Sequence, residues 1–171
     1  MRSSKTRQLC LGAGSAALVF IVTRFLQVPI PFGYFHLGNA VILVSCLVLP
    51  GTVGIWAGCI GSALADLTSY PVYTLPTILI KLAMAVAFCG IAKHMGKDAR
   101  RRKLRQIPAV WISLLIPLFG YTLTGGLLYG GLAASLAQLP GLLAEYAAGG
   151  ACVTVALASG KRLPHMAAGK V

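Results

Sequence analysis

Apolar residues run in long unbroken blocks along this chain, and the breaks between blocks hold prolines, glycines, aromatics or basic residues. The first block, Leu9 to Gln27, predicts a helix that stops at Val28-Pro-Ile-Pro-Phe32, where two prolines cannot continue it. A short block from Leu37 to Leu49 closes at Pro50-Gly51, and a third runs from Thr52 to Leu67. The fourth follows a polar, aromatic stretch and spans Thr77 to Ala92; the fifth covers Ile107 to Leu128, with a bend expected at Pro117 and Gly125-Gly126. After an irregular link at Gly130-Gly131, the sixth runs from Leu136 to Ala158. Strands of a membrane barrel would alternate apolar and polar residues in pieces of about ten, which these continuous blocks do not do.

Blocks of this length and purity predict an all-α integral membrane bundle of six transmembrane helices in one domain, residues 1–171. Composition agrees, with 57% hydrophobic and 11% charged residues and a mean hydropathy of +0.82. The net charge of +12 would suggest nucleic acid in a soluble protein, but apart from Arg24 and Lys81 the cations flank apolar blocks. They cluster at Arg2, Lys5 and Arg7, from Lys93 to Arg105, and at Lys161, Arg162 and Lys170. That is the positive-inside distribution, with anionic membrane lipid as counter-charge and no nucleic acid required. Six crossings bring all three clusters to the cytoplasm together with both termini. The links at Val28 to His36, Thr68 to Pro76 and Gly130 to Ser135 then face outward. The basic, apolar N-terminus reads as a retained first span rather than a cleaved signal. A re-entrant pair over Leu37 to Leu67 would leave four full crossings with the same sidedness.

Motifs for chemistry are missing: the chain has no GxSxG, HExxH or phosphate-binding loop, and His36, His94 and His165 are scattered. An enzyme, a metal site and a cofactor are therefore not expected, and uphill transport would draw its energy from a partner or an ion gradient. Cys10, Cys46, Cys59, Cys89 and Cys152 stand singly in apolar blocks and read as free, buried, small residues.

Ionisable residues at membrane depth are costly, so each is a functional candidate. Asp66 and Lys81 flank the Thr68 to Pro76 link and are placed to pair across it, either as a clamp or as ligand contacts. Glu145 is a further candidate, balanced by Arg24 or by a neighbouring hydroxyl, and Arg24 alternatively snorkels to headgroups. Tyr34, His36 and Asn39 stand at the outer start of the second helix. With Tyr70, Tyr73, Tyr121 and Tyr129 they offer planar rings and hydrogen-bonding edges suited to a small heteroaromatic molecule; an interfacial aromatic belt is the alternative. Gly12, Ala13, Ala16 and Ala17 give the first helix a small-residue face, for a partner subunit or for internal packing.

The segments Pro31-Phe-Gly-Tyr-Phe-His-Leu-Gly-Asn-Ala-Val-Ile42, Gly58-Cys-Ile-Gly-Ser-Ala-Leu-Ala-Asp-Leu-Thr-Ser-Tyr-Pro71 and Thr77-Ile-Leu-Ile-Lys-Leu-Ala-Met84, in that order, resemble the substrate-binding S components of energy-coupling factor (ECF) vitamin transporters. The likeness is to the riboflavin-type and unassigned-specificity subgroup, which is also similar to uptake components for pyridoxine and hydroxymethylpyrimidine, and it extends from Leu9 to Ala158. It implies a six-helix protein of the prokaryotic plasma membrane that captures a vitamin or precursor from outside. It also implies a membrane-embedded T component, which meets Ala13, Ala16 and Ala17, and two cytoplasmic ATPases. By the same resemblance, the whole component topples in the bilayer to carry its ligand inward. Tyr34, His36 and Asn39 match the family's ligand-facing stretch, and Asp66 and Lys81 its acidic and basic positions. The chain departs from the family at His36, where relatives commonly carry asparagine, at Asn39, where they carry aspartate, and in the last helix, where many have a polar Asn or Gln pattern after proline and this chain has Pro140-Gly-Leu-Leu-Ala-Glu145. A pyridoxine-like or pyrimidine-like ring is the favoured ligand, then riboflavin. A stand-alone small-solute transporter and a structural or assembly membrane protein are the alternative readings, and a ligand-sized outer cavity lined by Tyr34, His36 and Asn39 is expected of a transport role alone.

Overall fold

A computed structural model describes residues 2–30, 33–50, 52–93 and 99–159. The helices are α1 (Arg2–Phe25), α2 (Gly38–Val48), α3 (Val53–Ser69), α4 (Thr74–Lys93), α5 (Ala99–Tyr129) and α6 (Leu132–Ala158). Between α1 and α2 the chain forms an antiparallel hairpin of β1 (Gln27–Ile30) and β2 (Gly33–His36), and a 3-10 turn at Pro71–Tyr73 joins α3 to α4. Pro31, Phe32, Gly51, His94, Lys161, Arg162, His165 and Lys170 lie outside the described residues, as does the centre of the basic run.

Local sequence accounts for most of the boundaries. Pro29 stands just beyond α1, and its fixed φ favours extended backbone; Val28, Ile30, Tyr34 and Phe35 around it are good strand formers. The expected irregular link is therefore a hairpin, in which Gln27 faces His36 and Pro29 faces Tyr34. Pro76 falls in the first turn of α4, where its missing N–H has no intrahelical acceptor to lose. Gly130 and Gly131 have φ of 93° and 108°, a backbone that side chains rarely permit, and they reverse the chain between α5 and α6. The bend expected inside α5 does not interrupt it: the helix runs through Pro108 and Pro117 to Tyr129. It also begins at Ala99, so the end of the basic run is helix rather than loop.

Among the described residues, four segments are long and apolar enough to cross a membrane: Lys5–Phe25, Pro71–Ala92, Gln106–Tyr129 and Leu132–Ala158. α2 and α3 are shorter apolar helices of 11 and 17 residues. At the helical rise α2 is roughly 16 Å long, about half the thickness of a hydrocarbon core. It occupies the middle of the bundle, touching α1, α3, α4 and α6, while α1–α3, α3–α4, α4–α5 and α5–α6 are neighbouring pairs. α3 comes close to α2 because Gly54 leaves room: a Cβ there would sit 2.8 Å from the backbone of Cys46.

The bundle is apolar outside and selectively polar inside. Leu9, Leu79, Phe119, Leu127, Leu132 and Val155 are exposed, whereas Thr23, Asn39, Ser62, Asp66, Thr77, Lys81, Gln138 and Glu145 are buried. Water would oppose both halves of that arrangement; lipid accepts the first and permits the second where polar groups find partners. Cys10 and Cys152 are exposed, which corrects the expectation that all five cysteines are buried; none of the five forms a disulfide. Below the polar groups, Val19, Ile42, Leu43, Met84, Phe88, Val110, Leu114 and Val153 form a continuous apolar core. Leu43→Ala, at a fully buried site, is expected to cost about 2–5 kcal/mol through lost contacts and a residual cavity. Leu79→Ala on the lipid-facing surface should leave the melting temperature in detergent nearly unchanged, and thermal unfolding of the two variants checks the contrast.

Candidate functional site

The strand alternation of β2 places Tyr34 and His36 on the same face of the hairpin, two residues apart. That face meets α6 and the end of α3. The Tyr34 hydroxyl donates to Asp66 Oδ1, and its ring stacks on Tyr70 with centroids 5.3 Å apart. Burial and the Asp66 carboxylate push the Tyr34 hydroxyl well above the ordinary phenol range, so it keeps the proton it donates.

Asp66 is buried near the C-terminal end of α3 and is held from a second side by the Thr77 hydroxyl, which donates to Oδ2. Thr77 also shares a 2.9 Å hydrogen bond with the Tyr121 hydroxyl on α5. One helical turn beyond Thr77, on the same face of α4, stands Lys81, only 1% exposed. Its ammonium donates to Asn39 Oδ1 at 2.6 Å and lies 4.8 Å from the centroid of the Tyr121 ring, within cation–π range. The expected Asp66–Lys81 pair is thus replaced by an amide relay. Lys81 donates to the oxygen of Asn39, and the Asn39 amide nitrogen donates to Glu145 Oε1 at 2.6 Å. Two ionisable groups on α4 and α6 are joined through a neutral side chain on α2, which gives each a hydrogen-bond partner.

Glu145 is therefore held by Asn39, not by Arg24 or a hydroxyl; the Arg24 guanidinium lies 5.8 Å from the centroid of the Phe25 ring. His36 Nδ1 is 3.6 Å from Glu145 Oε1, too far for a hydrogen bond. That nitrogen accepts from the Gly38 backbone N–H at 3.0 Å, capping an otherwise unpaired donor at the start of α2. Desolvation, with the Lys81 charge adding to it, lowers the His36 pKa well below its usual value, and the ring is neutral.

Of the remaining tyrosines, Tyr73 is buried with its ring 6.2 Å from Tyr121 and 6.1 Å from Tyr129, and Tyr129 is exposed. Two aromatic tracks, Tyr70–Tyr34 and Tyr129–Tyr73–Tyr121, thus converge on Asp66 and Lys81. The space against Asn39, Tyr121 and Glu145 amounts to about 10 Å³, enough for about one water and far below the several hundred Å³ of a small-molecule site. Tyr34 and His36 do not line this space.

Sequence reasoning missed three buried polar residues beside the network. Thr77 was legible in the Thr-x-x-x-Lys spacing, which puts it on the face of Lys81. Gln138, on the α6 face of Glu145 by the same periodicity, fits against Gly125, where any Cβ would collide with its amide. Thr23 packs its hydroxyl against Gly38, and no local pattern pointed to it.

The small-residue face of α1 divides in two. Gly12 lies against α3, where a Cβ would come within 2.8 Å of Val53, while Ala13 and Ala17 are exposed. Together with Ala16 and Phe20 they form one wall of an apolar groove of about 730 Å³, whose other wall is Val53, Trp56, Ile60 and Leu64 of α3.

Asn39→Ala removes both bonds of the relay and leaves a buried ammonium and a buried carboxylate without their shared partner. A loss of about 3–5 kcal/mol is expected, against about 1.5–3 kcal/mol for Tyr34→Phe, which removes one bond to a charged acceptor. Thermal unfolding in lipid nanodiscs checks the order of the two.

Comparison with known proteins matches residues 3–162 to the family described as ECF-type riboflavin transporter, S component. An uncharacterised protein of Pyrococcus woesei, described as lying in a gap 3' region, is 38% identical over 65 residues, which make up 37% of this chain and 44% of that protein. The chain thus spans less than half the length of that relative.

Proposed function

Given that the chain belongs to the ECF-type riboflavin transporter S component family, whose members are non-catalytic, membrane-embedded substrate-binding parts of vitamin uptake systems, we propose that it captures a vitamin or vitamin precursor at the outer face of a prokaryotic plasma membrane. A membrane T component and two cytoplasmic ATPases then complete the importer. In this reading the chain crosses six times with both termini in the cytoplasm. The hairpin then extends the path of the short α2 towards the outer surface.

The observation that carries the reading is the buried Asp66–Thr77–Tyr121 and Lys81–Asn39–Glu145 network at the hairpin end of the bundle. A bundle of this size could be held together by apolar packing alone, and buried ion networks seldom stabilise more than the hydrophobic residues that could replace them. Polar groups retained at such a cost, beside stacked tyrosines, suit a site for a heteroaromatic ligand. Pyridoxine-like and pyrimidine-like compounds are the first candidates, and the family's name adds riboflavin.

In this reading the ligand meets the hairpin face that carries Tyr34 and His36 and the network beside it. Tyr34, His36, Asn39, Asp66, Lys81 and Glu145 then supply polar contacts, and Tyr70, Tyr73, Tyr121 and Tyr129 supply ring faces. The apolar groove walled by Ala13, Ala16 and Ala17 of α1 is the docking face for the T component in this scheme.

Native mass spectrometry of the chain purified in detergent, with bound small molecules released and identified, tests the capture role. The expected result is a stoichiometric vitamin-like mass that is lost in Asn39→Ala and Lys81→Met. A chain that carries no ligand and ignores a vitamin panel would contradict it. Ala13→Leu with Ala17→Leu should leave ligand binding intact and abolish co-purification of the T component and ATPases.

A further inference from the structure

Counted by formal charges, the buried network is unbalanced. Two of the chain's three acidic residues, Asp66 and Glu145, are buried in it, in a chain that has 15 lysines and arginines to spend. One ammonium, Lys81, faces them. His36 contributes no positive charge, because its Nδ1 is the acceptor of the Gly38 N–H and an imidazolium has no lone pair there. Arg24 is turned to the Phe25 ring. Each carboxylate is held by neutral donors: the Tyr34 and Thr77 hydroxyls on Asp66, the Asn39 amide on Glu145. Such donors orient a carboxylate without cancelling its charge.

The surrounding rings favour the same sign of charge. Tyr34 and Tyr70 are stacked at 30°, and the Tyr121 ring already accepts the Lys81 ammonium on its face. Aromatic faces attract cations and repel anions. A ligand bearing a carboxylate or phosphate would meet two carboxylates and a set of π-faces, with one ammonium already engaged.

Resting on the capture role proposed above, we infer that the ligand is a cationic nitrogen heterocycle, protonated or quaternised at the ring, which brings its positive charge to Glu145 and its plane to the tyrosines. This reverses the order implied by a neutral flavin. It also gives a reason for Glu145 at a position where a neutral amide would make the same hydrogen bonds without the charge.

The test is equilibrium binding to the full chain in lipid nanodiscs with four probes: thiamine as a permanent cation, hydroxymethylpyrimidine as a protonatable base, riboflavin as a neutral ring and pantothenate as an anion. At least one of the first two is expected to bind roughly tenfold or more tighter than the last two. Glu145→Gln is expected to weaken that binding by roughly tenfold or more while preserving the hydrogen-bonding shape of the side chain. Tightest binding of riboflavin or pantothenate, or a cation affinity untouched by Glu145→Gln, would overturn the inference and leave the capture role standing. Failure of every probe to bind would count against the capture role itself. Should Glu145→Gln not fold, the ranking of the four probes on the unaltered chain decides the matter, with Asp66→Asn as the second variant.

Discussion

A charge placed inside a membrane bundle has to be answered by another polar group, and that constraint shapes the hairpin end of this protein. Lys81 on α4 and Glu145 on α6 are both buried, and Asn39 on α2 answers both through the two ends of one amide. Removing solvent from either ion alone would cost several kcal/mol, so α2 has to place Asn39 between them. The same logic draws in β2, because Asp66 takes its donors from Tyr34 and Thr77. With Tyr121 of α5 bonded to Thr77, five helices and a hairpin are thereby referred to one cluster of side chains.

The rest of the bundle serves that cluster. α2 is short and mostly buried, so it has little need of a full lipid-facing length; its early residues carry Asn39 and its later ones, Ile42 and Leu43, enter the apolar core. Glycines set how near its neighbours come, as where Gly54 lies against the backbone of Cys46. On the outside, leucines and phenylalanines meet lipid, so the driving force for assembly is close packing and polar satisfaction rather than apolar burial from water. The network and the groove on α1 and α3 involve different surfaces, which separates capture of a ligand from association with a partner in the proposed scheme.

Much of this was legible in the chain. Continuous apolar blocks marked every helix, and the rarity of acids made Asp66 and Glu145 conspicuous. The order of the three family-like segments agreed with the family that matches nearly the whole chain. The partners of those residues were less legible. Asp66 and Lys81 are close in sequence, which suggested a direct pair, but the bond to Lys81 comes from Asn39, forty-two positions away, and only the three-dimensional path of α2 reveals it. The hairpin was read as a break because Pro29 and Pro31 stop a helix; the alternating Val28, Ile30, Tyr34 and His36 carried the strand signal. Helix starts at Ala99 and Leu132 preceded the apolar blocks: basic residues extend α5 beyond its apolar part, and Leu132-Ala-Ala-Ser135 continue α6 back to the glycine reversal.

The central claim is that the buried polar network is kept for a ligand rather than for the fold. The direct measurement replaces it with apolar residues of similar size, Asn39→Leu, Asp66→Leu, Lys81→Met and Glu145→Leu together, and follows both thermal unfolding in nanodiscs and retention of the ligand that co-purifies with the unaltered chain. The account predicts a bundle that melts at the same temperature or higher and retains no ligand. A bundle that no longer folds, or one that folds and still holds its ligand, would contradict it.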